Sequence, residues 1–550
     1  MRIVTLVAWI ALAALTGCQT AKPPPDYATL AKAAEAGEPV SAAELRAAFM
    51  AAPDFNERLQ KLTPLEQQAL QMMADEPLRL GAMGSAILNI YYGSLAGHYA
   101  LVEFYKRVDA PDSAAQHQAW LDKLTAAIEA GGDGSREKPW PVVSATAAEA
   151  FLRVRGLTPV GSMYHSTDDV PFMMLITARP AKGPLQNHYF NLSAAYHAVE
   201  HDVAATETSG EPFSPAMLIG YLARNDDSAA QAAIGAYLLS ENHYRDAASW
   251  LNMASRAGNV LANLMLARVY QLEAEQLKGD EHKQAMEFVL EQYLHAIAVG
   301  SDDAMFALGG LYIDGDYGEE NVQSGVALLK QAADLGNASA LMWLGQLSVD
   351  GTHVPKDPAA AEDYFKRAAE TGDPRARIQY ARYLLTLDPS HPFDPKAYQW
   401  VDEDAKKGDP ESMLMLGNLY ARGAGIGQSF HHATHWYKAA VDAAPDDANI
   451  VNEVAWTLAV THFEGLREPK YALQIMNRVM NKDTEARSNP AYLDTWAAAN
   501  AATGDFRRAV ELQQQAVKAA RDQKDTDTIE VLEQHLQSFQ RNETVIDPVP

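Results

Sequence analysis

Residues 337–372 read NASALMWLGQLSVDGTHVPKDPAAAEDYFKRAAETG, and this unit of 36 residues decides the fold. The same spacing separates four glycines, each followed by a Ser, Asn or Asp: Gly300, Gly336, Gly372 and Gly408. Glycine tolerates the left-handed backbone in which many helices end, and Ser, Asn and Asp accept hydrogen bonds from the free N–H groups at a helix start. Each seam therefore predicts that one helix stops and the next begins at once.

Apolar residues recur twice within the unit at helical spacing. The first set is Ala340, Leu344 and Leu347, and the second is Ala361, Phe365 and Ala368. Spacing of i, i+4, i+7 predicts one face of a helix, so each unit is predicted to be a helical hairpin. Because one hairpin cannot bury its own apolar face, a run of hairpins predicts a solenoid. In the copy at 373–408, Asp404 interrupts the second set, and Ala405 beside it is the expected substitute.

The unit resembles the Sel-one-like repeat, a longer-looped subtype of the tetratricopeptide repeat. Residues 338–372 and 411–440 carry the resemblance, since a small residue before LG, a loop glycine and a paired alanine recur in register. Residues 489–520 resemble a tetratricopeptide hairpin. The resemblance implies an all-α chain, an α-solenoid of such hairpins. We predict Sel-one-like repeats over 215–444, tetratricopeptide-type repeats over 445–522, and a capping helix and tail over 523–550.

The N-terminal half adds a segment of different character. Residues 27–138 have the spacing of helices, whereas 142–212 predict a small α+β insertion. Its predicted strands are Thr158–Tyr164, Phe172–Arg179 and Gln186–Leu192. The role of this insertion is left open.

The N-terminus predicts export and lipid attachment. Residues 3–15 form an apolar run that is too short to span a bilayer but suits a secretory signal. Leu15-Thr16-Gly17-Cys18 resembles the bacterial lipobox, which implies cleavage of residues 1–17 and acylation of Cys18, the chain's single cysteine. Residues 18–26 then form a proline-rich tether. Gln19 implies sorting to the outer membrane, and we expect the protein to face the periplasm, although exposure on the cell exterior stays open.

Charge and motifs exclude several functions. The net charge is −26 and the sequence has no block of Lys or Arg, so no nucleic-acid partner is predicted. No dinucleotide, phosphate-loop or nucleophile-elbow motif occurs, so no cofactor is predicted. His197-Ala-Val-Glu200-His201 matches an inverted zinc-peptidase motif, which keeps a zinc hydrolase open as an alternative, with Glu273 or Glu275 as the further ligand. His431, His432 and His435 form a second cluster, which we interpret as a solvated face.

One helical stripe of the repeats varies in chemistry from copy to copy. Its last three copies are Ser339, Trp343, Gln346, Asp350; Arg375, Gln379, Arg382, Thr386; and Glu411, Met415, Asn418, Arg422. Stacked hairpins line a groove with one stripe of their first helices. We therefore predict partner binding by seven residues of this variable stripe: Trp343, Gln346, Gln379, Arg382, Met415, Asn418 and Arg422.

These features predict a non-catalytic, lipid-anchored scaffold that binds a protein partner in the cell envelope. Lipoproteins with this type of repeat include assembly factors for exported polysaccharide and for peptidoglycan machinery, so the resemblance implies envelope or exopolysaccharide assembly as the setting. Glycan binding through Trp343, Tyr383 and Tyr420 is a further alternative.

Overall fold

The computed structural model describes residues 26–547 except 74, 168, 207–213, 319–320 and 389. The chain divides into two compact units, one ending at Ala304 and the other beginning at Met305. Helices dominate both units, and a small sheet lies in the first. The all-α class with a small α+β insertion in the N-terminal half is therefore confirmed. The finer boundaries predicted from the sequence stay predictions.

The first unit begins with six helices. The fourth and fifth helices pack closely at their glycines. A Cβ on Gly84 of the fourth helix would lie only 2.9 Å from the carbonyl oxygen of Gly97 in the fifth. Only glycine permits this approach, which explains the glycines in the apolar stretch 80–107. None of the helices in the described residues combines the length and apolarity needed to cross a membrane. The helices are α1 Tyr27–Glu35, α2 Ala42–Met50, α3 Phe55–Met72, α4 Leu80–Ile90, α5 Leu95–Arg107 and α6 Pro111–Glu129.

A four-stranded sheet follows, in the order β1-β4-β3-β2. Strands β2, β3 and β4 form an antiparallel meander, and β1 pairs with β4 in parallel through Trp140 and Phe190. The three predicted strands thus exist, together with a short fourth that the sequence analysis did not identify. The elements are β1 Trp140–Pro141, α7 Ala145–Val154, β2 Thr158–His165, β3 Met173–Arg179, β4 Gln186–Asn191 and α8 Ser193–Thr206.

The edge strand β2 is covered by the helices that come next. Asn259 donates from Nδ2 to the Ser162 carbonyl at 2.7 Å and accepts from the Ser162 N–H at 3.2 Å. This side-chain amide takes the place of a neighbouring strand at Ser162, so the backbone of this edge residue is satisfied within the unit. The helices are α9 Pro215–Arg224, α10 Ser228–Ser240, α11 Tyr244–Arg256, α12 Val260–Ala274 and α13 Asp280–Ala298.

A buried carboxylate joins three helices of the first unit. Glu66 of α3 is fully buried and accepts hydrogen bonds from Ser94 Oγ at 2.6 Å and from Thr146 Oγ1. Ser94 caps the start of α5, and Ser144, which caps α7, bonds to Thr146. Burial raises the pKa of Glu66, although these hydroxyl groups oppose the shift. The carboxylate therefore positions two helix starts against α3.

The second unit contains the regular hairpins that the 36-residue period predicts. At Gly336 the backbone is left-handed, with φ of 96°, and Asn337 then accepts a hydrogen bond from the N–H of Ala340. Asp373 and Asp409 begin their helices in the same way. The hairpin helices are α14 Asp302–Ile313, which crosses the boundary between units, and then α15 Val322–Leu335, α16 Ala338–Asp350, α17 Pro358–Glu370, α18 Pro374–Thr386, α19 Pro395–Lys406, α20 Pro410–Arg422 and α21 Phe430–Ala443.

The copy at 373–408 forms its hairpin, but its packing includes an ion pair. Asp404 is buried beside Ala405 and receives hydrogen bonds from Arg377 at 2.7 Å and from Lys407 at 2.9 Å. The expectation that Ala405 takes over the packing position thus covers only part of the arrangement. Asp404 also stays inside, because a cation accompanies it.

The second unit ends with further hairpins and a returning tail. Trp456 donates from its indole nitrogen to Asp547 at 3.1 Å, and the N–H of Asp547 bonds to the Val460 carbonyl at 2.8 Å. The tail therefore covers the helix that contains Trp456. The remaining helices are α22 Ala448–Val460, α23 Pro469–Lys482, α24 Pro490–Ala502, α25 Phe506–Asp522 and the terminal α26 Thr526–Gln540.

Candidate functional site

The variable stripe lines two adjoining cavities of the second unit. Its residues lie on α16, α18 and α20, the first helices of three successive hairpins, where i, i+4, i+7 spacing places them on one face. The cavities measure about 590 and 690 Å³ and share the side chains of Ile378, Arg382 and Glu411. We call the residues that line these two cavities the groove.

Trp343 forms one wall of the first cavity. Its ring packs edge-on against Phe306, with centroids 5.8 Å apart. A Cβ on Gly310, which lies 36 residues before Gln346, would lie 3.1 Å from the Trp343 ring, so glycine at this position leaves room for the indole. Gln346 is exposed beside it and donates to Asp350 on the next turn. An aromatic surface with polar side chains around it therefore faces the cavity.

The second cavity has a more tightly packed floor. Met415 is only 3% exposed, and Asn418 accepts a 2.7 Å hydrogen bond from the buried Tyr437 hydroxyl. Arg422 donates to the Leu385 carbonyl at 3.3 Å, and burial lowers the pKa of its guanidinium. These three side chains are held in place by the fold, so the floor of this cavity is preformed.

Arg382 lies where the two cavities meet, and Gln379 lines the first cavity. Arg382 is exposed and Gln379 half-exposed. Within the described part of the chain, neither side chain forms a hydrogen bond or an ion pair. By contrast, Arg375 nearby is already bonded to Asp373 at 2.9 Å. The guanidinium of Arg382 can therefore bind an anionic group without first losing a partner.

An apolar column of the groove was missed in the sequence analysis. Its five members line the cavities at strict 36-residue spacing, one position before the column that contains Trp343 and Met415: Phe306, Met342, Ile378, Leu414 and Ile450. Three of them, Phe306, Met342 and Leu414, are only partly buried. The sequence does contain this information: the column lies outside the two apolar sets that pack each hairpin, and a third apolar column indicates a second apolar surface. The groove thus has an apolar floor with polar side chains along it.

The zinc-peptidase-like motif lies on α8. His197 Nδ1 is 3.0 Å from Glu200 Oε2, so two of its three polar side chains interact with each other. In the described residues, no group of three or more His, Cys, Asp or Glu side chains is placed to hold a metal ion. The structure therefore does not bring Glu273 or Glu275 to this pair as a third ligand, and the zinc hydrolase stays an untested prediction.

The second histidine cluster is occupied by local contacts. His432 bonds to Ser429 Oγ at 2.8 Å and stacks on Tyr420 with ring centroids 5.0 Å apart. His435 lies edge-on to Trp436, with centroids 5.4 Å apart. These contacts support the interpretation of the cluster as a surface feature.

The three aromatics proposed for glycan binding do not share a cavity. Of the three, only Trp343 lines the groove. Tyr383 is 7% exposed, packs on Phe365 and donates to the Pro358 carbonyl at 3.0 Å. Tyr420 faces Tyr398 and His432 instead. Cys18, the predicted lipid attachment site, lies outside the described residues.

Comparison with known proteins agrees with the repeat assignment. The Sel1 repeat family matches residues 302–337, 338–373 and 410–444, and these segments are Sel1 repeats. The hairpin that contains the buried Arg377–Asp404 ion pair lies outside the matched segments. Among curated proteins, no sequence relative is found.

Several solved structures are similar to parts or most of this chain. A Sel1 repeat protein from Oxalobacter formigenes is 24% identical over 45% of this chain and 98% of its own, with a TM-score of 0.35. A protective antigen of uropathogenic Escherichia coli that displays an SLR fold is 16% identical over 91% of this chain and 97% of its own, with a TM-score of 0.40. Yeast Tom70 is 13% identical over 58% of this chain and 82% of its own, with a TM-score of 0.25.

Proposed function

We propose that this Sel1-repeat chain is a non-catalytic adaptor whose groove binds a segment of a partner protein. The observation that carries the proposal is the apolar column from Phe306 to Ile450, which lies in the groove beside the variable stripe. Partly exposed apolar side chains at regular spacing suit a partner that offers apolar side chains in a row. Polar residues that differ from repeat to repeat then set which partner fits.

The charges of the groove indicate the partner's chemistry. Arg382 stands unpaired within the described residues, in a chain whose net charge is −26. Glu411 lies with Arg382 where the two cavities meet, and Glu453 lines the second cavity. The segment that fits is amphipathic, with apolar anchors against Met342 and Leu414 and a carboxylate that reaches Arg382.

The proposal extends to location and setting. Acylation at Cys18 and the proline-rich tether after it hold the repeats at the periplasmic side of the outer membrane. There the groove recruits a component of an envelope or exopolysaccharide assembly. The support for this part is the lipobox-like sequence and the resemblance to envelope lipoproteins.

Site-specific photocrosslinking tests the groove. A photoreactive residue at Gln379 is expected to capture one partner from membranes, whereas the same residue at the exposed Arg507 on α25 is not. Arg382→Glu should reduce capture by tenfold or more, because it places a carboxylate opposite the partner's carboxylate. Arg507→Glu is the matched control and should leave capture unchanged.

Two results would contradict the proposal. One is equal capture from positions 379 and 507, which indicates nonspecific contact. The other is unchanged capture in both Arg382→Glu and Trp343→Ala, with thermal unfolding showing that both variants are folded. In that case the groove is only a solvated surface.

A further inference from the structure

A second cleft, in the first unit, has a polar floor and an aromatic wall. It measures about 570 Å³ and lies among α11, α12 and α13. Cavities of this size are typical of sites for small molecules. None of its lining residues belongs to the groove of the second unit, so this cleft is a separate candidate.

Two buried amides form the floor. Asn263 and Gln292 are 5% and 6% exposed, which makes both side chains more than nine-tenths buried. Asn263 donates from Nδ2 to Gln292 Oε1 at 3.0 Å and to Ser255 Oγ at 2.9 Å, and Ser255 Oγ donates to Gln292 Oε1 at 3.3 Å. This network fixes the orientation of both amides.

The network leaves one donor and one acceptor unused. Gln292 Nε2 and Asn263 Oδ1 have no hydrogen-bond partner within the described residues. Neither is among the fully enclosed unpartnered atoms, so each keeps an open side towards the cleft. A donor and an acceptor side by side match a hydroxyl group, which both accepts and donates.

An aromatic pair provides the wall. Tyr270 and Phe288 stack with centroids 5.2 Å apart and an interplanar angle of 27°. Phe288 is nevertheless 42% exposed, so Tyr270 leaves much of its ring uncovered. Such a ring can pack against the C–H groups on one side of a sugar ring. Tyr270 adds a hydroxyl that accepts from Asn252 at 3.2 Å and keeps its own proton to donate.

The rim carries opposite charges. Arg256 and Glu291 both line the cleft and offset each other, with His295 beside them. A balanced rim above neutral amides favours an uncharged ligand over a phosphate or a carboxylate. We propose that this cleft binds a neutral polyhydroxylated ligand, a short oligosaccharide, with one ring on Phe288 and hydroxyls on Asn263 and Gln292.

The test uses the full chain in detergent on an array of neutral and acidic oligosaccharides, followed by calorimetric titration of the retained glycan. Neutral glycans are expected to be retained. Phe288→Ala should weaken binding tenfold or more because the stacking surface is lost. Leu294→Ala is the matched control and should leave affinity unchanged, since Leu294 is an apolar residue on the same helix with similar exposure, 50%.

A second variant separates recognition from packing. Gln292→Glu keeps the size of the side chain but removes the donor, so affinity for the neutral glycan should fall at least tenfold while circular dichroism stays unchanged. No retained neutral glycan, or equal affinity of the Phe288→Ala chain, would overturn the proposal. Peptides that bind in the same cleft and depend on Phe288 would replace the saccharide with a polypeptide ligand.

Discussion

Two positions of the 36-residue repeat are apolar in one copy and charged in the next, where they form the buried ion pair. Arg377 occupies the position of Leu341 in the preceding copy, and Asp404 occupies that of Ala368. Their side chains are 13% and 4% exposed, and Arg377 Nε is buried without a hydrogen-bond partner in the described residues. An apolar pair in one repeat has thus been exchanged for a charged pair in the next.

This exchange predicts strong non-additivity. Asp404→Ala alone should lower the free energy of unfolding by about 3 kcal/mol, because it leaves the buried Arg377 guanidinium without its carboxylate partner. Arg377→Leu alone should lower it by less, because Lys407 still bonds to Asp404. The double variant restores the apolar pair of the neighbouring copy and should lie within about 1 kcal/mol of the unaltered chain. Urea unfolding of the four chains measures the coupling energy. Additive losses would contradict the buried ion pair.

A buried histidine makes the stability of the first unit depend on pH. His98 Nε2 bonds to the Tyr92 carbonyl at 2.8 Å, and its Nδ1 is 3.0 Å from His117 Nδ1. Since Nε2 is the donor to the carbonyl, Nδ1 accepts from His117, and His98 is neutral. Burial lowers the pKa of His98 from 6.5 to about 3. Burial also lowers the pKa of His117.

The lowered pKa gives the sign of the pH effect. The unfolded chain takes up the His98 proton near pH 6.5 and the folded chain only near pH 3, so stability falls as pH drops through that window. At pH 5 this side chain should account for a loss of about 2 kcal/mol relative to neutral pH. His98→Gln should reduce the acid loss measured by urea unfolding at pH 7 and 5. The exposed His243→Gln is the control and should not, and an equal acid loss in His98→Gln would contradict the burial effect.

At the scale of the helix, glycine has two opposite effects in this fold. A Cβ on Gly417 of α20 would lie 2.5 Å from the ring of the fully buried Tyr437. In α9, a Cβ on Gly220 would meet only the end of the Arg224 side chain, at 3.5 Å. Both glycines are helical, so the difference between them is one of packing.

Alanine substitution should therefore have opposite signs at the two sites. Gly417→Ala is expected to lower the free energy of unfolding by about 1–3 kcal/mol, because overpacking outweighs the better helix propensity. Gly220→Ala should raise it by up to about 1 kcal/mol. Chemical denaturation measures both, and stabilisation by Gly417→Ala would show that the hairpin is less closely packed than the structure has it.

Helix boundaries could be predicted from the sequence where neighbouring residues specify them. Gly336 with Asn337, and Gly408 with Asp409, specify an end and a start within a few residues, and the structure places helix boundaries there. The contact of Asp547 with Trp456 joins residues 91 positions apart and leaves no periodic trace. The pairing of Asn259 with the sheet edge likewise depends on tertiary packing that local propensity does not encode.

The candidate site could be predicted only in part, because the repeat pattern is local whereas the exposure of a side chain depends on tertiary packing. Repeat comparison identifies positions such as Trp343 and Arg382 because a variable helical face stands out against conserved packing. It does not distinguish an available side chain from one held by the fold, as Met415 and Asn418 are, since that depends on neighbouring helices. The amide floor at Asn263 and Gln292 comes from two helices of an irregular unit, which the 36-residue register does not reach.

At the scale of the whole molecule, the proposed function has two parts: the tether determines where the protein is located, and the groove determines which partner it binds. Cys18→Ser, made with residues 1–17 replaced by a secretory signal that is cleaved without lipidation, should give a mature protein that lacks acyl mass and shifts from membranes to the soluble fraction, because the proposed anchor consists of acyl chains that contribute about 0.8 kcal/mol per buried CH2. Thr20→Ser, outside the lipobox-like residues, is the control and should stay in membranes. Crosslinking from Gln379 in the soluble Cys18→Ser chain should still capture the partner when solubilised membranes are added. Membrane retention of this variant, or a mature wild-type chain with an unmodified cysteine, would contradict the anchor, whereas loss of capture in solution would show that the groove depends on it.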